Sequence, residues 1–194
     1  FVTPGDAPVR IEVPTQHAGV AVLVTLAREA GLKVVNGADI PADSIRVGAY
    51  VVALGDGRTL SQREGVHVLL DWARDFAKAE SWVITASDDA AAASVAGFAQ
   101  CLGRKVLRVA DRPGQIVLRA MAQLANAAAD AVADEVATAV DIDAAMRHGA
   151  NHPQGPLEWT EQAGKRRVAA TLSNMAETLG DELYRPAPLL SEGN

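Results

Sequence analysis

Cysteine, aromatic rings, long apolar runs and surplus positive charge are all scarce in this chain of 194 residues. The one cysteine, Cys101, excludes an internal disulfide and a cysteine-based zinc site. Set in an apolar helical pattern, it reads as a buried structural thiol. A formal net charge of −6 argues against a nucleic-acid partner, since phosphates must be met by clustered Lys and Arg. The acid excess is uneven: residues 111–194 hold 12 Asp/Glu against 7 Lys/Arg, residues 1–110 hold 12 against 11. Two short basic groups, Arg104/Lys105/Arg108 and Lys165/Arg166/Arg167, read as solvated surface near helix ends. No apolar stretch is long enough to span a bilayer and no signal-peptide pattern opens the chain, so the reading is cytoplasmic, with no membrane partner. A start at Phe1 instead of Met reads as an excised fragment.

Motifs that carry chemistry are missing too. A dinucleotide site needs a glycine-rich turn after the first strand, so that backbone N–H groups can reach the pyrophosphate. The connection here is Pro14-Thr15-Gln16-His17-Ala18-Gly19, with one glycine and a proline, and no GxGxxG or GxxxxGK[ST] occurs. Of the histidines His17, His67, His148 and His152, the last two stand at HxxxH spacing, but Gly149 ends the helical pattern between them and no HExxH occurs, so no zinc site is read here. His67 lies in an apolar strand pattern and reads as a core or edge residue, His148 as a helix-end cation, and His17 and His152 as loop residues. The carboxylates Asp88-Asp89 and Asp141/Asp143 stand at helix starts, where they favour the positive end of the dipole. No GxSxG elbow is present. The residues by themselves show no catalytic group, no cofactor-binding group and no metal ligand.

What is there is alanine and periodicity. Hydrophobic residues make up 49% of the chain, and the alanine bias predicts tightly packed helices. Strand patterns fall at 9–13, 32–35, 47–54, 66–70, 82–85 and 105–109, with helical patterns at 18–30 and 90–102 and a weakly helical piece at 72–79. The alternation predicts an α/β domain with about five strands and a parallel sheet joined by crossovers. After Pro113-Gly114 the strand pattern stops. Helices are predicted over 114–133, 140–148, 157–164 and 165–179, while two prolines keep 184–190 from being helical throughout. The domains read as 1–110, α/β, and 111–194, all-helical. His67 and His152 are the only arguable bases for an unconventional active site, and Arg104, Lys105 and Arg108 the candidates for phosphate contacts in a binding module without redox activity.

The boundary carries a more specific signal. The stretch Leu102-Gly103-Arg104-Lys105-Val106, then Asp111-Arg112-Pro113-Gly114-Gln115-Ile116-Val117-Leu118-Arg119, resembles the domain junction of 3-hydroxyacyl-CoA dehydrogenases, "LGK-x-V" followed by "D-x-PGF-[IV]-V-N-R". Asn126, the run Asp141-Ile142-Asp143-Ala144-Ala145-Met146, Gly149, and Pro153-Gln154-Gly155-Pro156 resemble the family's later asparagine and its "DID-x-AM…G…P-x-GP" signature. Looser matches are Leu69-Leu70-Asp71-Trp72-Ala73 and Tyr184-Arg185-Pro186-Ala187-Pro188. The resemblance is to the C-terminal part of the long bacterial 3-hydroxybutyryl-CoA and 3-hydroxyadipyl-CoA type. It implies a reduced Rossmann-like domain, then a second helical C-terminal domain. Asp111, Pro113, Gly114, Leu118, Arg119, Asn126, Asp143, Met146, Gly149, Pro153, Gly155 and Pro156 take the motif positions, in a structural role. Gly149 and Gly155 are expected to allow tight bends.

One departure bears on function. Where active members of the family bring an asparagine to the substrate site, this chain has Leu118. The family's His–Glu pair belongs to the upstream nucleotide domain. The resemblance therefore implies NAD and acyl-CoA as ligands of the full-length enzyme and no cofactor on this fragment. Partners implied are a second copy through the helical domain, with the alanine-rich first helix as contact, or the upstream dehydrogenase unit.

Overall fold

The computed structural model describes residues 1–191. The chain divides into two compact units, one of Phe1–Gly55 with Thr59–Ile116, the other of Asp56–Arg58 with Val117–Asn194. In the first, β1 (Arg10–Val13), α1 (Ala21–Glu29), β2 (Lys33–Asn36), β3 (Ser44–Val47), β4 (Tyr50–Leu54), β5 (Val68–Leu70), β6 (Ser81–Ala86), α2 (Asp89–Cys101) and β7 (Lys105–Arg108) follow one another. The seven strands form one sheet in the order β2-β1-β3-β4-β5-β6-β7.

The unit is α/β, but its sheet is mixed where a parallel one was expected. β1/β2, β4/β5 and β6/β7 run parallel, while β1/β3, β3/β4 and β5/β6 run antiparallel. Two local features account for this. The apolar run 47–54 is two strands folded on each other, with Val47 opposite Tyr50. Gly48 turns the chain between them at φ +60°, a conformation that costs glycine little. The stretch 72–79 forms turns, with no helix, so β5 and β6 meet antiparallel through a short connection.

Alternate residues of the strands build the core. Ile11, Val13, Ile45, Val47, Val52, Leu54, Val68, Leu70, Trp82 and Ile84 share a buried cluster with Leu23, Val24 and Ala27 of α1 and Val95, Phe98 and Ala99 of α2. Period-two alternation puts these strand residues on one sheet face, and the helices bury it. Trp82 stands edge-on to Phe76, with centroids 6.0 Å apart, and tilted to Phe98 at 5.9 Å. Asp88 caps α2 by accepting from Ala91 N at 2.8 Å. That backbone bond, helped by the Ser87 hydroxyl, lowers its carboxyl below the usual aspartate value. The cap is therefore in place above the ordinary aspartate range and fades as pH falls through the lowered value.

The second unit is helical: α3 (Val117–Ala133), α4 (Ala139–Gly149), α5 (Pro156–Ala163), α6 (Lys165–Leu179) and the short α7 (Pro188–Ser191), with a 3-10 turn over Glu182–Tyr184. α3 lies against α5, α6 and α7, and its Leu118, Ala122, Ala125, Asn126, Ala128 and Ala129 are buried. Trp159, Val168, Leu172, Met175 and Leu190 complete this core. These alanines of α3 are thus used inside the unit.

Candidate functional site

The junction begins where β7 ends. The Asp111 carboxylate accepts from Leu60 N at 2.7 Å and Ser61 N at 3.1 Å, closing the 3-10 turn Leu60–Gln62. Pro113 and Gly114 are buried, and Gly114 and Gln115 both turn at positive φ, +71° and +50°. Gln115, where the motif has phenylalanine, is buried and donates from Nε2 to Leu69 O and Thr85 Oγ1. Its Oε1 is buried with no protein hydrogen-bond partner. The chain then reaches Asp71, 2% exposed, whose carboxylate accepts from Trp72 N and Ile116 N. Asp71 lies in the looser match Leu69-Leu70-Asp71-Trp72-Ala73, which assigned it no role. Its signal was a carboxylate directly after an apolar strand.

In the helical unit the motif side chains act on the unit's own backbone. Asn126, buried in α3, donates from Nδ2 to Arg185 O at 2.9 Å and accepts from Ala187 N at 2.7 Å. Arg119 donates from Nε and Nη2 to Tyr184 Oη, with its guanidinium 5.2 Å from the ring centroid. Together they hold the tail after α6 onto α3. Asn126→Ala removes partners from two backbone groups at once and is expected to cost about 2–4 kcal/mol, read as a drop in the urea midpoint at unchanged m-value.

Asp143 performs a comparable task for α5. Its two oxygens accept from Leu157 N and Glu158 N, each at 2.9 Å, in the first turn of that helix. Pro156 occupies the first helical position, where no N–H is needed. Met146 O accepts from Ala150 N and His152 N, and Pro153 follows in the turn. Gly149 needs no special backbone angle: it is the last residue of α4, and the positive φ lies at Asn151. A methyl group on Gly149 would meet nothing within 4 Å. The expected tight bend is therefore not at Gly149.

The residues considered for chemistry stay apart from any such work. Leu118 is 1% exposed inside α3. His67 accepts from Val51 N at 3.2 Å through Nδ1, while its backbone N donates to Val51 O, an arrangement of the β4–β5 edge. His17 bonds Pro14 O within the β1–α1 connection. Arg104 donates to Leu102 O and Ala77 O, Arg108 to Asp89 and Ala86 O, and Lys105 lies over Phe1. The three cations thus serve separate local contacts and do not converge as a phosphate site. Among the described residues no three His, Cys, Asp or Glu side chains gather as a metal-ligand set.

A mixed-sheet α/β unit followed by a helical unit, its signature polar groups spent on caps and clamps, defines the class. The model of the 3-hydroxyacyl-CoA dehydrogenase C-terminal domain matches residues 114–193, and that of the 3-hydroxybutyryl-CoA dehydrogenase reduced Rossmann-fold domain matches residues 52–113. The chain belongs to the 3-hydroxyacyl-CoA dehydrogenase family. It is 41% identical over 104 residues to 3-hydroxyadipyl-CoA dehydrogenase of Escherichia coli K12, covering 54% of this chain and 22% of that relative. It is 37% identical over 105 residues to 3-hydroxybutyryl-CoA dehydrogenase of Bradyrhizobium diazoefficiens, 54% of this chain and 36% of the relative. The crystal structure of 3-hydroxybutyryl-CoA dehydrogenase from E. coli K12 superimposes with a TM-score of 0.74 at 27% identity, over 98% of this chain and 37% of the other. The chain thus spans well under half the length of these relatives.

Proposed function

We propose that this chain is the C-terminal portion of an NAD-dependent 3-hydroxyacyl-CoA dehydrogenase of fatty-acid metabolism in the cytoplasm. The longer protein oxidises 3-hydroxyacyl-CoA to 3-oxoacyl-CoA, with NAD and the proton-transfer pair in its upstream unit. Residues 1–110 are the reduced Rossmann-like domain and 111–194 the helical C-terminal domain, with the loop at 56–58 lodged against the helices. Their work is assembly, by pairing with a second copy through the helical domain or with the upstream unit.

One observation carries the non-catalytic reading. Leu118 fills the motif position of a substrate-site asparagine and is sealed in the core of α3, where it offers a substrate neither donor nor acceptor. The connection after β1, with Pro14 and a single glycine, supports the same reading for NAD. Two measurements test it. Titration of NAD into the purified chain in a calorimeter is expected to give no saturable heat, and acetoacetyl-CoA with NADH is expected to show no turnover. Micromolar NAD binding or steady oxidation of NADH defeats the reading.

A further inference from the structure

Residues 1–8 cross α2 as an irregular strap. Pro4 and Pro8 keep the segment out of a helix, and it forms no strand of the sheet. Its grip is slight: none of these residues is buried, and Phe1 is 76% exposed. Val2 N donates to Val106 O of β7, the last strand of the sheet, and Gly5 N donates to Ala93 O of α2, both at 2.8 Å. Cavities of about 600 and 420 Å³ adjoin the strap, the first against Ala90, Ala93 and Ser94, the second against Ala96 and Gln100. A segment laid beside such voids gains few of the close contacts that hold a packed element.

One contact is tight. Gly97 lies inside α2, where glycine weakens a helix relative to alanine. A Cβ on Gly97 would lie 2.6 Å from Asp6 O and 2.9 Å from Gly5 O. From the other side, a Cβ on Gly5 would lie 3.2 Å from Ala93 O. The helix carries a notch that admits the backbone of the strap.

We propose that α2 and the outer edge of β7 form a docking groove for an extended peptide segment, and that residues 1–8 are its detachable occupant. The inference stands apart from the functional reading above. The groove recognises backbone: a glycine against the notch at Gly97, one N–H for Ala93 O and one for Val106 O. Detachment breaks those two hydrogen bonds and uncovers no buried side chain of the strap itself, so the sheet stays folded. The open groove then accepts another segment of the same kind, and an uncovered strand edge is a ready template for it.

Amide exchange and peptide binding on the full chain test the proposal. In wild type, the Val2 and Gly5 amides are expected to be protected at least roughly tenfold less than the buried amides of β6 and α2. Gly5→Val crowds the notch from the strap side. It is expected to lower protection at Val2 at least roughly tenfold further and to leave β6 and α2 unchanged. A labelled peptide with the sequence of residues 1–8 is expected to bind Gly5→Val at least roughly tenfold more tightly than wild type, whose own strap fills the groove. Gly97→Ala fills the notch from the helix side, and is expected to free the strap but to bind no peptide. Circular dichroism reports the folding of each variant. Protection at Val2 that matches that of β6 and α2 in every chain overturns the proposal. So does a Gly5→Val chain that takes up no peptide, or a Gly97→Ala chain that binds it equally well. A Gly5→Val chain that fails to fold overturns it too, since the strap is then part of the core.

Discussion

Gly57→Ala is expected to destabilise the protein by about 3 kcal/mol or more. Asp56, Gly57 and Arg58 lie in the sequence between β4 and β5, yet they belong to the helical unit. Asn174 Nδ2 of α6 donates to Asp56 O at 2.7 Å. Gly57 sits at φ +95°, and a Cβ built on it would lie 2.3 Å from the backbone oxygen of Thr171. Both objections apply together. Positive φ is unfavourable for an alanine, and the clash is with helix backbone, which cannot rotate aside as a side chain would. Gly31 supplies the control: its φ is +78°, but nothing lies within 4 Å of its missing Cβ. Gly31→Ala is expected to show only the conformational part, about 1 kcal/mol. Chemical denaturation of the two variants separates the contributions. Equal losses would show that Gly57 is not held against α6.

The second large effect is at Asp143. Gly155 stands at the cap position of α5, where Ser, Thr, Asp or Asn is usual, and has no side chain to offer. The cap comes from Asp143 on α4, and a Cβ on Gly155 would lie 2.2 Å from the Asp143 carboxyl carbon. Cap and glycine are one device: the glycine leaves the space that the distant carboxylate fills. Asp143→Ala removes two charge-assisted bonds and strands two amides, which is expected to cost about 3 kcal/mol. Gly155→Ser alone is expected to be severely destabilising, because its Cβ meets the carboxylate. Combined with Asp143→Ala, the same serine has room and can cap locally, so the double variant is expected to be more stable than Gly155→Ser alone. Strict additivity of the two changes would rule out the shared device.

Much of the fold was legible in the sequence, because helix and strand periodicity, caps and glycine stops are local properties. α2 falls within a residue of its expected bounds, with Asp88 as cap and Gly103 beyond its end. α6 runs as read, stopped by Gly180 at φ +63°. The hairpin at Gly48 was not legible. A Gly-Ala pair is a weak turn signal, and apolar residues on both sides merge two strands into one run. Nor was the pairing of β5 with β6, since strand direction depends on how the connection folds and not on the strands themselves.

The candidate site divides in the same way. The sequence alone fixed which residues occupy the family's motif positions and that Leu118 is an apolar residue where an amide is called for. What these residues do follows from their folded neighbours: Asp143 caps a helix 14 residues away and Asn126 clamps a tail about 60 residues on, while Gly57, outside the motifs, admits a loop to the side of α6. The reason is physical. Residue type sets which hydrogen bonds and backbone angles a position can supply, whereas the choice of partner depends on which segments packing brings within about 3 Å of one another.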